Sequence, residues 1–308
     1  MISPDDIVAA SRRISPHVRR TPLMALEAEA FGLPAALMLK LELLQHSGSF
    51  KARGAFNNLL AQTVPKSGVI AASGGNHGAA VAFAARSLGH KAEIFVPKLA
   101  SAAKVMRLKD YGAEVTVIGE TYAEAFAASE ARRTETGALS VHAYDADLTL
   151  AGQGTLAREI DAQSPSIDTL LVAVGGGGLI GGIAAWYRGK VRVVGVEPKS
   201  CPSLERAFAA KRPVEVAVGG LAADSLGAKK VGALMFEIAK DFVEGVVLVE
   251  DNAIRQAQSR LWNDLRIMAE PGGATALAAL TSGVYRPAIG EKIGVVICGG
   301  NVDPSTVG

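Results

Sequence analysis

Two cysteines, Cys201 and Cys298, are too few in 308 residues for a disulfide framework or a four-cysteine zinc site. No charge of one sign dominates. The 32 Lys and Arg stand against 30 Asp and Glu, a formal charge of +2. That balance leaves no footprint for nucleic acid or an anionic membrane, and no like-charge run marks a tail. No apolar run reaches the ~18–20 residues that a bilayer span requires. The first residues, Met1-Ile2-Ser3-Pro4-Asp5-Asp6, lack the basic start and apolar stretch of a secretion signal. The histidines at 17, 46, 77, 90 and 142 show no H-E-x-x-H or paired spacing, so no metal site is expected. Without a G-x-S-x-G, a hydrolase triad has no support either. Nor is there a repeat of 20–50 residues or a low-complexity linker.

What is present is glycine, 34 residues of it, in a chain that is 49% hydrophobic and 20% charged. Such a chain is neither disordered nor fibrous. Its length suits one large α/β domain or two lobes, and a soluble cytoplasmic protein is expected. Ser3-Pro4-Asp5-Asp6 reads as a capped helix start. Short β-branched runs then alternate with Ala-rich helical stretches. Strands are expected at Leu37–Leu41, Gly68–Ala72, Ala92–Val96, Glu114–Ile118, Leu139–His142, Thr169–Val174, Val191–Val196, Gly245–Val249 and Lys292–Cys298. Helices are expected near Phe50–Leu60, Gly78–Leu88, Ser101–Asp110, Tyr122–Glu135, Leu150–Ala162, Leu179–Tyr187, Ala253–Asn263 and Gly273–Thr281. Strands separated by such helices form parallel sheets with right-handed crossovers. Ligand sites in these sheets lie beyond the C-terminal strand ends, where Gly-rich turns lead into helices.

Three such turns stand out. Ser73-Gly74-Gly75-Asn76-His77-Gly78 follows a strand, and the helix after it offers unpaired N–H groups suited to a carboxylate or phosphate. An ordinary turn with a capping Asn would not need Ser, Asn and His together. Gly175-Gly176-Gly177-Gly178-Leu179-Ile180-Gly181-Gly182 can expose consecutive N–H groups to a phosphate. Gly176, Gly178 and Gly181 also satisfy G-x-G-x-x-G, with Glu197 at the spacing of a ribose-binding acid. On this segment a dinucleotide site and a single-phosphate cradle both stay open, while a close-packed βα turn would need fewer glycines. The third turn, Cys298-Gly299-Gly300-Asn301, ends the last strand. No base stands beside Cys298 in sequence, so it reads as a buried apolar residue or a weak hydrogen-bond partner for a ring nitrogen, not a nucleophile.

Lys51, in Ser47-Gly48-Ser49-Phe50-Lys51-Ala52-Arg53, sits at a helix start, where the macrodipole disfavours a cation. Apolar neighbours can carry it into a desolvated site, which makes an amine nucleophilic at neutral pH. Periodicity alone favours a snorkelling surface lysine instead. Arg53 reads as a structural ion-pair partner. Glu270, in Glu270-Pro271-Gly272-Gly273, could face the same cleft, though an acid favoured by a helix dipole is the simpler account.

Together, Lys51 and the three turns resemble the pyridoxal-phosphate enzymes of fold type II, with the tryptophan synthase β-subunit architecture. Within them the resemblance is to the serine/threonine dehydratase and serine racemase group. It also runs through Arg20-Thr21-Pro22-Leu23, Lys40-Leu41-Glu42, Ala151-Gly152-Gln153-Gly154-Thr155, Gly195-Val196-Glu197-Pro198 and Glu270-Pro271. The resemblance implies an α/β fold of two three-layer αβα lobes with mostly parallel sheets. Residues 1–68 and 142–308 would form the large cofactor-binding domain and 69–141 the small one, with pyridoxal 5'-phosphate in the cleft. It implies that Lys51 holds the cofactor covalently and then acts as the base at the substrate Cα. Phe50 would pack against the ring and Asn76 would hydrogen-bond its 3-oxygen. Gly175, Gly176, Gly177, Gly178 and the Leu179 amide would bind one phosphate, which decides against the dinucleotide. Cys298 would face the pyridine nitrogen, Glu270 would join the cofactor-binding set, and Ser73, Gly74, Gly75, Asn76 and His77 would receive the substrate carboxylate.

The implied reaction is dehydration and deamination of a small β-hydroxy amino acid, L-threonine or L-serine by default, to a 2-keto acid and ammonia. A neutral thiol at the ring nitrogen makes a weaker electron sink, which suits β-elimination better than transamination. The cofactor phosphate is expected to protonate the departing hydroxyl. Racemases of the group carry a hydroxyl where this chain has Gly74, so racemisation is expected to be weak. Metal-activated members carry an Asp where Ser203 follows Glu197, so no strong divalent site is expected. Serine racemase and 3-hydroxyaspartate or phenylserine dehydratase stay as alternatives. A β-replacement synthase is disfavoured by His77, where that group has Thr. The non-enzyme rival is a nucleotide-binding regulatory protein using Gly176–Gly181. The family implies a homodimer, and feedback control by an appended domain is not expected.

Overall fold

The computed structural model describes residues 1–27, 29–33, 35–164 and 166–306. Helix α1 (Pro4–Ile14) starts from a capping box in which the Ser3 hydroxyl accepts from the Asp6 amide and Asp6 accepts from the Ser3 amide. Strands β1 (Leu23–Leu26) and β2 (Leu37–Lys40) follow, then helix α2 (Lys51–Ala61). Next come β3 (Val69–Ala72), α3 (Asn76–Ser87), β4 (Ala92–Val96), α4 (Ala102–Asp110), β5 (Glu114–Val117), α5 (Tyr122–Thr136) and β6 (Leu139–Ser140). The chain continues through α6 (Asp147–Gln163), β7 (Thr169–Ala173), α7 (Gly178–Tyr187), β8 (Arg192–Pro198), α8 (Ser203–Ala210), α9 (Ala223–Leu226) and α10 (Ala233–Phe242). It closes with β9 (Gly245–Val249), α11 (Asp251–Leu265), α12 (Pro271–Thr281) and β10 (Ile293–Val296).

Two sheets result. One has the order β1-β2-β10-β7-β8-β9 and the other β5-β4-β3-β6. All neighbours are parallel except the β1–β2 pair. Every residue of β7 and β10 is buried, which explains why these strands read as unbroken apolar runs. The fold is therefore mixed α/β with mostly parallel sheets. Sequence periodicity missed β1, α8, α9 and α10. The expected strand Leu139–His142 stops at Ser140, because the chain leaves the sheet edge there to enter the segment that faces Lys51.

Helix α2 joins the two sheets. It packs on α6 on one side and α3 on the other. Its apolar residues Ala52, Ala55, Phe56 and Leu59 share a core with Val69, Ala71 and Ile94 of the smaller sheet. On the α6 side small residues allow close approach: a Cβ added at Gly152 would lie 2.7 Å from the Cα of Gly54.

A buried charge network pins the start of α2. Arg53 Nε and Nη2 donate to Glu42 at 2.8 and 2.7 Å, and Nη2 reaches Glu159 at 3.1 Å. Lys40 Nζ donates to Glu159 (2.5 Å), to the Thr21 carbonyl (2.8 Å) and to Gln163 (2.8 Å). Thr21 Oγ1 donates to Glu42 at 2.5 Å. Two cations meet two carboxylates, so the buried charge balances. Burial opposes ionisation of Glu42, yet Arg53 holds its carboxyl below the ordinary range. Arg53 is the structural ion-pair partner its position suggested.

Candidate active site

Lys51 is the first residue of α2, and no acid or side-chain cap occupies that helix start. The loop ahead of it is tightly shaped, with Ser47 at φ 58 and Gly48 at φ 76. It is held to the third glycine turn, since the Phe50 amide donates to the Cys298 carbonyl (3.1 Å) and Gly300 N to the Gly48 carbonyl (2.9 Å). Lys51 Nζ donates to the Ala143 carbonyl at 2.9 Å. Burial pulls its pKa down to about 8, against a smaller opposing pull from neighbours including Glu270. At neutral pH roughly a tenth of such amines are uncharged, far more than for a surface lysine. The snorkelling alternative is thereby overturned.

Lys51 lines a cavity together with Phe50, Asn76, Gly175, Gly176, Gly177, Gly178, Leu179, Glu270 and Cys298. These residues come from α2, α3, the β7–α7 turn, the α12 start and the turn after β10. A shallower opening between Asp168, Lys190, Arg192 and Glu291 carries none of the glycine turns.

The glycine loop precedes α7, whose N-cap Gly177 sits at φ 88 and has no side-chain cap. The loop carbonyls are engaged by the scaffold. That of Gly175 accepts from Ser203 Oγ (2.9 Å), that of Gly176 from Gly232 N (3.0 Å) and that of Gly177 from Gly181 N (2.8 Å). The first-turn amides of α7 have no intrahelical partner, which suits one phosphate. The expectation that close packing would need fewer glycines does not hold. An added Cβ at Gly176 would lie 2.4 Å from the Tyr144 ring, and one at Gly177 would lie 2.2 Å from Met235. Packing and anion cradle thus demand the same glycines.

Asn76 and Glu270 meet across the cavity. Asn76 Nδ2 donates to Glu270 Oε1 at 2.5 Å, and Asn301 Nδ2 donates to Asn76 Oδ1 at 2.7 Å. Glu270 is the N-cap of α12 but makes no side-chain cap, so the account of it as a dipole acid is corrected. Burial pushes its carboxyl up to about 7, opposed by the Asn76 hydrogen bond. Cys298 Sγ lies 3.4 Å from the Gly272 carbonyl, and burial raises its pKa far enough to keep it a neutral thiol.

The remaining residues of the first turn stand apart from this lining. Ser73 Oγ accepts from Gly75 N at 3.3 Å, and Gly74 faces Ala100 and Val96. His77 is buried with Nε2 2.8 Å from the Val141 carbonyl, so that nitrogen carries the hydrogen. Burial, then the Lys51 charge, lowers its pKa to about 3. Its neutral ring is a structural tie between α3 and Val141 and is not turned into the cavity. Glu197 is also turned away, accepting from Ser203 Oγ (2.9 Å), Leu204 N (2.7 Å) and Glu205 N (3.0 Å). It caps α8, whose preceding Pro202 cannot, and it is not placed to bind a ribose. Ser225 and Leu226 of α9 also line the cavity and went unread in the sequence, because four residues carry no periodicity.

Residues 14–299 match the family described as pyridoxal-phosphate dependent enzyme. The chain is 39% identical to an L-threonine ammonia-lyase of Geobacter sulfurreducens, over 98% of this chain and 76% of that protein. It is 37% identical to a phenylserine dehydratase of Ralstonia pickettii, over 97% and 93%. The structure of maize serine racemase superposes with a TM-score of 0.94 at 35% identity, covering 99% of this chain and 95% of that one.

Proposed function

The chain belongs to the pyridoxal-phosphate dependent enzymes, and from that premise we propose that it dehydrates and deaminates a β-hydroxy amino acid to a 2-keto acid and ammonia. The observation that carries this reading is Lys51, an amine tuned to about 8, lining one cavity with an uncapped helix start and a neutral thiol. The residues fit the cofactor. Gly175–Leu179 would hold the phosphate, Phe50 would pack against the ring, Asn76 would engage its 3-oxygen and Cys298 would face its nitrogen. Bound pyridoxal phosphate supplies an electron sink for the pair left when the Cα–H bond breaks.

In this reading Lys51 Nζ takes the Cα proton, the Ala143 carbonyl orienting the amine. The uncapped amides at the start of α3 receive the substrate carboxylate. Glu270 and Asn301 hold the Asn76 amide in one orientation. Loss of the Cα proton and the β-hydroxyl releases one water. Hydrolysis of the resulting enamine consumes one water and frees ammonia, so the reaction balances. With Gly74 supplying no acid to the opposite face, D-serine should form much more slowly than ammonia. Ser203 and two amides occupy Glu197, so chelation should leave the rate unchanged. A cytoplasmic homodimer completes the proposal, and light scattering at twice the chain mass would support it.

The test is an absorbance spectrum of the purified protein before and after L-serine or L-threonine, beside Lys51→Ala. A visible cofactor band that changes as keto acid accumulates, with no turnover in the variant, is the expected result. A colourless protein that pyridoxal phosphate cannot reconstitute would sink the proposal.

A further inference from the structure

Residues 141–146 lead from β6 to α6 as a strap that passes the Lys51 amine. The peptide unit joining Ala143 to Tyr144 is the part that touches it. The carbonyl of that unit accepts from Lys51 Nζ at 2.9 Å, and its N–H, which belongs to Tyr144, donates to His142 Nδ1 at 3.3 Å. The unit is trans, so it is planar with its C=O and N–H pointing in opposite directions, and a hold on one end aims the other. The Asp145 amide donates to the same Nδ1 at 2.8 Å. One ring nitrogen thus accepts from the amides two and three residues on, a pattern that Asn and Asp side chains make in turns.

Both ends of the strap are tied down. The His142 carbonyl accepts from Thr149 Oγ1 at 2.9 Å, and Thr149 accepts from Asn58 of α2 at 2.9 Å. The Asp145 carboxylate accepts from Ala233 N (2.9 Å) and Leu234 N (2.8 Å) at the start of α10. Between these ties, the Tyr144 and Asp145 amides have no acceptor among the described residues except the imidazole. An imidazole accepts at Nδ1 only while that nitrogen is unprotonated, so these bonds require the neutral ring with its hydrogen on Nε2. Acid must break both. The residue keeps an exposed edge, so protons reach it. The charged groups that face it are Asp145 beside it, Lys51 of α2 and Glu130 of α5, while His77 of α3 is neutral. Desolvation lowers the His142 pKa from the ordinary histidine value; the two acids oppose that shift and the Lys51 charge adds to it.

Resting on the reading given under Proposed function, we propose that His142 is a positioning residue for Lys51, its neutral imidazole aiming the Ala143 carbonyl at the amine that takes the Cα proton. Under that reading the amine is free when it acts as the base, and the Ala143 carbonyl is then its partner. Protonating His142 releases the peptide and leaves the amine unaimed. The arrangement is therefore intact above the pKa of His142 and lost as pH falls through it.

The experiment compares the holoenzyme with His142→Asn and His142→Ala on L-serine or L-threonine. The asparagine side chain can accept at the place of Nδ1 but does not titrate, and alanine accepts nothing. At pH 8 the alanine variant should lose about 10–100-fold in kcat, and the asparagine variant should recover most of that. Below about pH 6 the wild type should depend on one more proton than the asparagine variant, so the ratio of their kcat values should drop about tenfold per pH unit. A second readout needs no turnover. In nitrogen-15 NMR of the histidine-labelled holoenzyme, the signal that disappears in His142→Asn should be an Nε2–H tautomer titrating below the ordinary value of ~6.5. A wild-type kcat in the alanine variant, a wild-type to asparagine ratio that is flat with pH, or an Nδ1–H tautomer overturns the proposal. If no hydroxy amino acid is turned over, the elimination reading fails. The NMR signal and the rate at which cofactor-free wild type and variants regain a visible band on adding pyridoxal phosphate then still decide the role of His142.

Discussion

At the scale of single residues, the site depends on an amine made reactive by burial. Lys51 needs to be neutral to attack an aldehyde, and its pKa of about 8 sets the pH range in which it can. A lowered pKa means that the neutral fraction rises as pH climbs toward 8 and levels off above it. The rate at which cofactor-free protein recovers its visible band on adding pyridoxal phosphate should therefore rise about tenfold per pH unit below 8 and flatten beyond. A rate still climbing steeply to pH 10 would mean that the amine is not desolvated. Asn76 and Glu270 show what a single position in sequence cannot. They are 194 residues apart in the chain and share one hydrogen bond of 2.5 Å.

At the scale of elements, turns and helix starts do the positioning. The β7–α7 turn favours glycine at Gly177 by its φ of 88, and the flexible Met235 side chain, lying where a Cβ would go, would have to shift. Gly177→Ala should cost about 1–3 kcal/mol in urea unfolding and weaken cofactor binding by an order of magnitude or more. Unaltered affinity would separate the turn from the phosphate. Helix α2 depends on its anchor in the same way. Arg53→Ala would strand the Glu42 carboxylate in the interior and should destabilise by about 3–5 kcal/mol. Arg53 does not line the cavity, so urea unfolding at saturating cofactor should still show most of that loss. An effect within experimental error would mean that the network is not fully desolvated.

For the whole molecule, residues from both sheets close on one cavity, with α2 packed against each. Ligand binding should therefore stabilise the fold as a unit. Cofactor at about 100 times its Kd adds roughly 2.7 kcal/mol, which in a protein of this size is a melting-temperature rise of about 5 °C. Lys51→Ala, which under the proposed reading keeps the phosphate cradle but loses the covalent hold, should show a smaller rise at the same concentration. Equal shifts would place the binding energy entirely outside Lys51. No helix among the described residues is long and apolar enough to cross a membrane.

Much of this was legible in the sequence because it is local physics. Strands β3, β4, β7 and β9 announce themselves as short β-branched runs, helices by their caps and Ala-rich periodicity, and the three turns by glycine. The order of motifs around Lys51 identified the family. What the sequence left open is what depends on distant partners. The strand β1 pairs antiparallel with β2 at the sheet edge, and nothing in four residues announces that. Whether Glu270 serves its own helix or faces Asn76, and whether His77 points into the cavity or onto Val141, are settled by which elements meet. Hydrophobic period and turn chemistry act within about a dozen residues of chain, so the sequence determined the elements and the chemistry they carry. Burial, charge pairing and side-chain direction arise only when the sheets and helices close, and so the tertiary structure decided which of those groups work together.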